Sequence, residues 1–599
     1  MRLPVGSPKK RLRAAMVVLG LVATLLASRA IVVQGLDSAS YASKAAAQMS
    51  VSRTIVPNRG TITDRYGEVL ASSQPAVKIV ADPTQIATNG KLPSSMTLRD
   101  KEKAAGAPNV IADVLVRYLG GDQATYVKQL TTPNTKYVVI AKQVQAYTYL
   151  MIADELETLG YVGLFRETAA VRTYPNGSLA ANILGFVKDN DSGVGQVGAG
   201  GLEYTYNSQL SGVAGSEAYE TSPNGRIPTG QNVLVPAQDG VTYTLTIDAG
   251  LQYMVERRLQ ETVDQTQATS GIAIVMNVKT GELLSLANYP TFDSNSPGTA
   301  TAADLGNRAV TDAYEPGSVQ KVLTMAALTD AGVVTPDTKV VVPSQILSGG
   351  KPIKDAFTHQ TINLTARGVV ANSSNIGTVL LTRQLDKARL VEYLQSFGLG
   401  STTGIGLPAE ASGSLPSTSI ADNTRDQISF GQGLSVTAIQ EAAAVAGIVN
   451  GGVYNSPTII KSATTTSGKS VAVPVSTSRR VISPAASSMV LDMMESVVAS
   501  KVGAARFPIE GYRTAAKSGT AERIDPTCKC YSGYVASFVG VAPVEDPEIL
   551  VYIVVDRPQG QYQGSQVAAP AYKDIMRVAL QRYGVLPSTG AAPVNPITW

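Results

Sequence analysis

Residues 313–325 read AYEPGSVQKVLTM, and this short stretch decides what kind of domain surrounds it. Pro316 and Gly317 mark the start of a helix whose first turn carries Ser318 and Lys321. Three residues apart on a helix is nearly one turn, so the two side chains share a face and can touch. A hydroxyl beside an amine is a nucleophile beside a base. Taken alone, the same pair is equally a helix-capping serine and a solvated lysine.

The rest of the chain narrows the choice of base. Its 599 residues are too many for a single core, so several folded units are expected. With 44% hydrophobic and 16% charged residues it is neither a disordered polymer nor a polytopic membrane protein. His359 is the only histidine, and Cys528 and Cys530 are the only cysteines. Neither a histidine metal site nor a Ser-His-Asp triad is easily assembled from that inventory. The net charge of +4 is smaller than the six positive charges of Arg2, Lys9, Lys10, Arg11, Arg13 and Arg29. The remainder is therefore slightly acidic, and nucleic-acid binding is not expected.

Residues 14–36, AAMVVLGLVATLLASRAIVVQGL, form an apolar run behind that basic start. As a helix they would reach about 34 Å, enough to cross a bilayer, with the positive flank in the cytoplasm. An uncleaved transmembrane anchor is expected, with residues 1–13 as a cytoplasmic tail. A cleaved signal peptide is the rival reading, because Ser28-Arg29-Ala30 puts small residues near a cleavage point. Under either reading the rest of the chain is exported.

Beyond the anchor, VPNRGTITDRYGEVLASS (56–73) suggests two short strands about a turn at Asp64-Arg65-Tyr66-Gly67. The glycine-rich stretch 193–215 is followed by neither a Walker lysine nor a strand-loop-helix unit with GxGxxG, so its glycines are assigned to turns. A Pro-, Gly- and Asn-rich segment at 222–240 marks a domain boundary. A strand is expected at 241–247, a helix at 249–266 and a hairpin at 271–287. Helices dominate from 316 to 450, and strands return at 513–521, 531–541 and 548–556. Helices inserted into an antiparallel sheet give an α+β domain.

Two further elements change the reading of Ser318 and Lys321. Ser373-Ser374-Asn375 follows in VVANSSNIGTVL, and Lys517-Ser518-Gly519-Thr520 in RTAAKSGTAERI. S-x-x-K, S-x-N and K-[ST]-G in that order form the signature of penicillin-binding proteins and serine β-lactamases. Chemically, a desolvated Lys321 with a second cation nearby can be neutral and take the serine proton.

The chain resembles the class B penicillin-binding proteins over residues 14–583. RGTITDRYGEVLA (59–71), RTYPNGSLAANILGFV (172–187) and GLEYTYNSQLSG (201–212) resemble blocks of the pedestal domain of that family. NVKTGELLSLANYPTFDSN, SFGQGLSVTAIQ and AAPAYKDIM resemble blocks of its catalytic domain. A single anchor and a modest pedestal look most like the septal, division-specific (FtsI-type) members.

The resemblance implies an N-terminal transmembrane helix, a β-rich elongated pedestal at 50–230, and a penicillin-binding, serine β-lactamase-like transpeptidase domain at 236–585. Residues 586–599 are set apart as a C-terminal tail. It implies a peptidoglycan D,D-transpeptidase with Ser318 as nucleophile, Lys321 as base, Ser373 as proton carrier and Asn375 orienting Lys321. Lys517, Ser518, Gly519 and Thr520 would receive the substrate, with the N–H groups of Ser318 and Thr520 as oxyanion hole. No metal or organic cofactor is implied. The implied partners are peptidoglycan stem peptides, β-lactams as covalent inhibitors, the membrane, a SEDS-family (FtsW-type) glycosyltransferase and other division proteins. An elongation-type transpeptidase, or a non-catalytic β-lactam sensor or scaffold, is the alternative. His359 is read as structural, and the 59–71 block as a coupling surface unless it only stabilises the pedestal. Cys528 and Cys530 suggest a disulfide in an exported protein, although a bridge over two residues demands an unusual backbone.

Overall fold

The computed structural model describes residues 7–36, 50–190, 195–222, 225–227, 232–500, 503, 506–525 and 527–599. Arg2, most of the polar stretch 37–52 and parts of the segments 193–215 and 222–240 lie outside the described residues. The chain forms two compact units, Met1–Pro57 with Val213–Gln238, and Asn58–Gly212 with Asp239–Trp599. The range 50–230 is thus divided between them.

The first unit contains the helix Pro8–Ile31, continued by one π-helical turn, Val32–Leu36. Pro8 occupies the first turn, where a missing N–H leaves no bond unmade. From Pro8 to Gln34 the helix is long and apolar enough to cross a membrane, and none of it is buried in protein. It starts earlier than the expected 14–36, taking Lys9, Lys10, Arg11 and Arg13 into its opening turns. A sheet completes the unit. Ser50–Ile55 and Asn232–Val235 flank Gly215–Ser222 antiparallel, and Gly225–Arg226 turns back on it.

In the second unit the turn around Asp64 joins Ile62–Thr63 to a long strand, Val69–Ala81. Asp64 Oδ1 fixes the turn by accepting the N–H groups of Tyr66 and Glu68. Val69–Ala81 also pairs with Val138–Gln145 and Leu164–Thr173. Between these strands the chain is largely helical, which the sequence reading leaves unassigned. Leu98–Leu119 opens with a reciprocal Thr97–Asp100 capping box and turns Ala104, Ala107, Ile111 and Leu115 inward, one face at helical spacing.

The three pedestal blocks meet at one carboxylate. Glu203 is fully buried and accepts from Arg59 Nε, from Arg172 Nε at 2.6 Å and from the Tyr174 hydroxyl at 3.3 Å. Arg59 also donates to Asn207 Oδ1 and Ser211 Oγ, and Arg172 to the carbonyl of Gly60. Buried charges persist only when paired and hydrogen-bonded, and here each block supplies a partner. Arg59 is 7% exposed, so the geometry makes it an internal tie rather than a coupling surface.

Thr242–Leu245 runs parallel to Ile62–Thr63 and antiparallel to Ile460–Thr464. Pedestal and catalytic segments therefore share one seven-stranded sheet. Downstream the catalytic region comprises α1 (Ala249–Gln265), β1 (Ser270–Asn277), β2 (Leu283–Tyr289), α2 (Gln320–Asp330), β3 (Ile362–Thr365), α3 (Ala366–Ala371), α4 (Asn375–Thr382), α5 (Ala438–Val449), α6 (Pro484–Ala499), β4 (Ala515–Asp525), β5 (Cys530–Ala542), β6 (Ile549–Asp556) and α7 (Ala569–Arg582). Its main sheet has the order β2-β1-β6-β5-β4, every pair antiparallel. β1 and β6 read as continuous apolar runs because both of their faces are covered. α1 and α7 pack on each other and on the sheet, while α2, α5 and α6 form a second helical layer. β4 is the edge strand, as expected for 514–520. Residues 595–599, within the expected tail, are packed against β3 and α6.

Candidate active site

Ser318 lies in a single 3-10 turn, Gly317–Val319, that feeds directly into α2. Gly317 adopts φ +56°, and a Cβ there would stand 2.8 Å from the carbonyl oxygen of Thr520. Only glycine gives both this left-handed backbone and this closeness to β4. Gly519 answers from the strand, where a Cβ would lie 2.3 Å from Ser537 Oγ and 3.0 Å from the carbonyl oxygen of Pro316. The SFGQG block backs the turn. Gly317 N–H donates to Gly431 O at 3.1 Å, and Thr324 Oγ1 donates to Ser429 O at 2.7 Å.

Lys321 is wholly buried, and its Nζ is 3.0 Å from Ser318 Oγ. It is also 2.6 Å from Ser373 O, 2.7 Å from Asn375 Oδ1 and 3.2 Å from Ser373 Oγ. A neutral amine has two N–H donors and one lone pair. The two carbonyl oxygens can only accept, so they consume both donors and leave the lone pair for a hydroxyl. Burial, followed by the nearby Lys517, holds the Lys321 ammonium well below the usual lysine range. That favours the base form at neutral pH.

Lys517 on β4 is 1% exposed, and its Nζ donates to Ser373 Oγ at 3.0 Å and to Ser518 O at 2.9 Å. Burial alone brings it down to about 7. Ser373 Oγ therefore bridges the two amines. Ser373 sits at φ +56°, a left-handed conformation rare for a residue with a Cβ. Such local strain, of order 1–3 kcal/mol, is typical of functional turns. Ser318, Ser373, Asn375, Ser518 and Thr520 all line one cleft of about 1040 Å³. Every motif residue named from the sequence is brought to this cleft or its floor.

Asp355 escaped the sequence reading. Its carboxylate accepts from Ser374 Oγ at 2.6 Å and from the N–H of Ile376 at 2.9 Å, while Ser374 caps α4. His359 Nε2 lies 3.1 Å from the same carboxylate, and its side chain is 7% exposed. The signal was D-x-x-x-H at 355–359, shortly before the S-x-N motif. Asp355 thus anchors the loop that presents Ser373 and Asn375, and His359 braces Asp355. Beyond the end of β4, a disulfide joins Cys528 in the connecting turn to Cys530, the first residue of β5.

Residues 271–577 match the penicillin binding protein transpeptidase domain, and residues 54–245 match the penicillin-binding protein dimerisation domain. Penicillin-binding protein PbpB of Mycolicibacterium smegmatis is 34% identical over 583 residues, covering 94% of this chain and 88% of that protein. Peptidoglycan D,D-transpeptidase FtsI of Escherichia coli is 32% identical, covering 88% and 84%. The crystal structure of Mycobacterium tuberculosis penicillin-binding protein 3 complexed with aztreonam superimposes with a TM-score of 0.68 at 28% identity, covering 91% of this chain and all of that one. With both domains matched, relatives aligned over most of their length and the three motifs gathered in one cleft, the chain belongs to the penicillin-binding proteins, as a class B transpeptidase of the FtsI type.

Proposed function

We propose that the protein is a membrane-anchored peptidoglycan D,D-transpeptidase that cross-links stem peptides during septal wall synthesis. Ser318 attacks the carbonyl of the penultimate D-Ala, Lys321 takes its proton, and Ser373 passes a proton to the departing D-Ala amine. The resulting ester is attacked by an amine of a neighbouring stem, with the same relay running in reverse. Asn375 holds Lys321 and a substrate amide. Lys517, Ser518 and Thr520 receive the terminal carboxylate, and the N–H groups of Ser318 and Thr520 stabilise the oxyanion. β-Lactams acylate the same serine. The observation that carries this reading is the buried Lys321, whose two N–H donors are spent on carbonyl oxygens while Ser318 Oγ stands 3.0 Å away. The test is mass spectrometry after incubation with a penicillin. A covalent adduct on the peptide containing Ser318 is expected, and an unmodified Ser318 peptide would overturn the assignment.

We divide the chain into residues 50–230 as pedestal and 236–585 as transpeptidase domain, with the N-terminus cytoplasmic because its basic residues flank the apolar helix. The septal role rests on the FtsI-named relative, and a SEDS-family (FtsW-type) glycan polymerase is the proposed partner. Midcell localisation of a fluorescent fusion supports the septal role, whereas distribution along the lateral wall counts against it.

The two lysines give acylation a defined pH dependence. The rate should fall on the acid side as Lys321 takes up a proton. It should fall again above about 7 as Lys517 loses the charge that attracts the carboxylate. Lys517→Arg keeps its charge across the whole range, so it should abolish the alkaline fall while lowering the rate throughout, because a planar fork does not fit an ammonium site. Second-order acylation rates measured from about pH 5 to about pH 9 check both limbs. An alkaline limb that persists in Lys517→Arg would assign it to another group.

A further inference from the structure

The last residues of the chain do not trail into solvent. Thr598 forms an antiparallel bridge with Leu364 of β3. The N–H of Thr365 donates to Ile597 O at 3.1 Å, and its hydroxyl donates to Pro596 O at 3.0 Å. Asn595 Nδ2 donates to Asp492 Oδ1 at 2.9 Å, and Trp599 Nε1 donates to Leu364 O at 3.1 Å. Lys339 Nζ lies 4.8 Å above the indole. Gly368 records how tightly the segment is seated, because a Cβ there would fall 1.8 Å from Ile597 O. Gly368 belongs to α3, and α3 ends two residues before Ser373.

Ile597 is half-buried and lines the active-site cleft together with Ala371, Asn372, Val497, Ser500 and Phe507. Ala371 and Asn372 immediately precede Ser373, so this wall stands on the side of the cleft where Ser373 Oγ meets the leaving amine. An acceptor amine attacks the same acyl carbon and gives its proton back through the same relay, so it must enter from the side that the leaving amine vacates. Water, the competing nucleophile, needs no such wall. The wall is apolar at the half-buried Ile597 and at the buried Val497 and Phe507, and polar at the exposed Asn372 and the half-buried Ser500. It suits a methylene arm flanked by amides.

We propose that the seated segment 595–599 holds Ile597 as a fixed part of the wall in the acceptor half of the cleft, and that Ile597 is a specificity-determining residue packing on the aliphatic arm that carries the acceptor amine. The proposal rests on the transpeptidase reading above.

The test uses the full chain with an N-acyl-D-alanyl thioester as acyl donor. Two acceptors are compared, Nα-acetyl-lysine, whose amine ends a butyl arm, and hydroxylamine, which has no arm. In Ile597→Ala the KM for Nα-acetyl-lysine should rise about five- to tenfold, in the range for a lost hydrophobic contact. Penicillin acylation and transfer to hydroxylamine should stay within about twofold of the parent, and Ile597→Val should recover most of the loss. Gly368→Ala displaces the segment from the other side and should give the same split, which keeps the proposal testable if Ile597→Ala is poorly folded. Equal losses with both acceptors, or unchanged transfer to Nα-acetyl-lysine, would overturn it. Failure of the parent protein to react with penicillin or thioester would instead overturn the transpeptidase reading beneath it.

Discussion

Lys321→Ala is expected to lower the second-order rate constant for acylation by a labelled penicillin by about three to four orders of magnitude, the upper range for loss of a positioned general base. The size follows from the geometry. Ser318 Oγ has Lys321 Nζ at 3.0 Å, while Lys517 Nζ contacts Ser373 Oγ and Ser518 O. His359 is no substitute, because its Nε2 faces Asp355 and its Nδ1 faces the carbonyl of Gln360. Lys321→Arg should fail as completely, since a guanidinium cannot become neutral. Ser318→Ala should accept no label at all. The double variant Ser318→Ala/Lys321→Ala should look the same as Ser318→Ala, because nucleophile and base act as a unit. Stopped-flow acylation checks the rates, and thermal melting of the same samples separates chemistry from unfolding. A folded Lys321→Ala protein acylated within tenfold of the parent rate would require a different base.

The catalytic residues were legible because their chemistry is encoded as short fixed spacings. Ser318 and Lys321 share a helix face, and Lys517, Ser518 and Thr520 lie along one edge strand, so local sequence nearly determines their relative positions. What was not legible depends on contacts distant in sequence or on mixed local signals. Asp355 acts on Ser374 across an intervening strand and helix, and no short motif joins them. The helix Leu98–Leu119 carries an N-terminal capping box and a clear inward face, yet Gly106 and Pro108 interrupt the pattern with residues that ordinarily break helices. Residues 586–599 hold no periodicity, with Pro, Gly and small polar residues scattered among the apolar side chains. Their seating depends on the missing Cβ of Gly368 more than two hundred positions earlier. Arg59 was legible as part of a block but not as buried, because an arginine in a polar stretch reads as surface until its carboxylate is found.

Glu203→Ala should therefore be the most damaging single change outside the catalytic cleft. It removes the acceptor shared by Arg59, Arg172 and Tyr174 in a place with no exposure to water. Two guanidinium groups would then face each other without a counter-charge. Leaving buried charges uncompensated costs about 3–5 kcal/mol, a large share of the stability of an ordinary domain. Glu203→Gln keeps the shape and one acceptor oxygen, so its loss should be smaller but in the same direction. The damage should begin in the pedestal, because the chemical groups lie between residues 318 and 520. Molecules of either variant that remain folded should still be acylated by penicillin at the parent rate. Urea denaturation can resolve this, since Trp599 is the only tryptophan in the chain and reports on the catalytic region, whereas far-ultraviolet circular dichroism reports on both. A circular-dichroism transition shifted to lower urea, ahead of or together with the tryptophan transition, is expected. A Glu203→Ala protein within about 1 kcal/mol of the parent would show that the carboxylate is dispensable. If the expected loss is found, a division defect in an Arg59 variant with normal penicillin acylation follows from an unstable pedestal, with no need for a lost contact surface at that position.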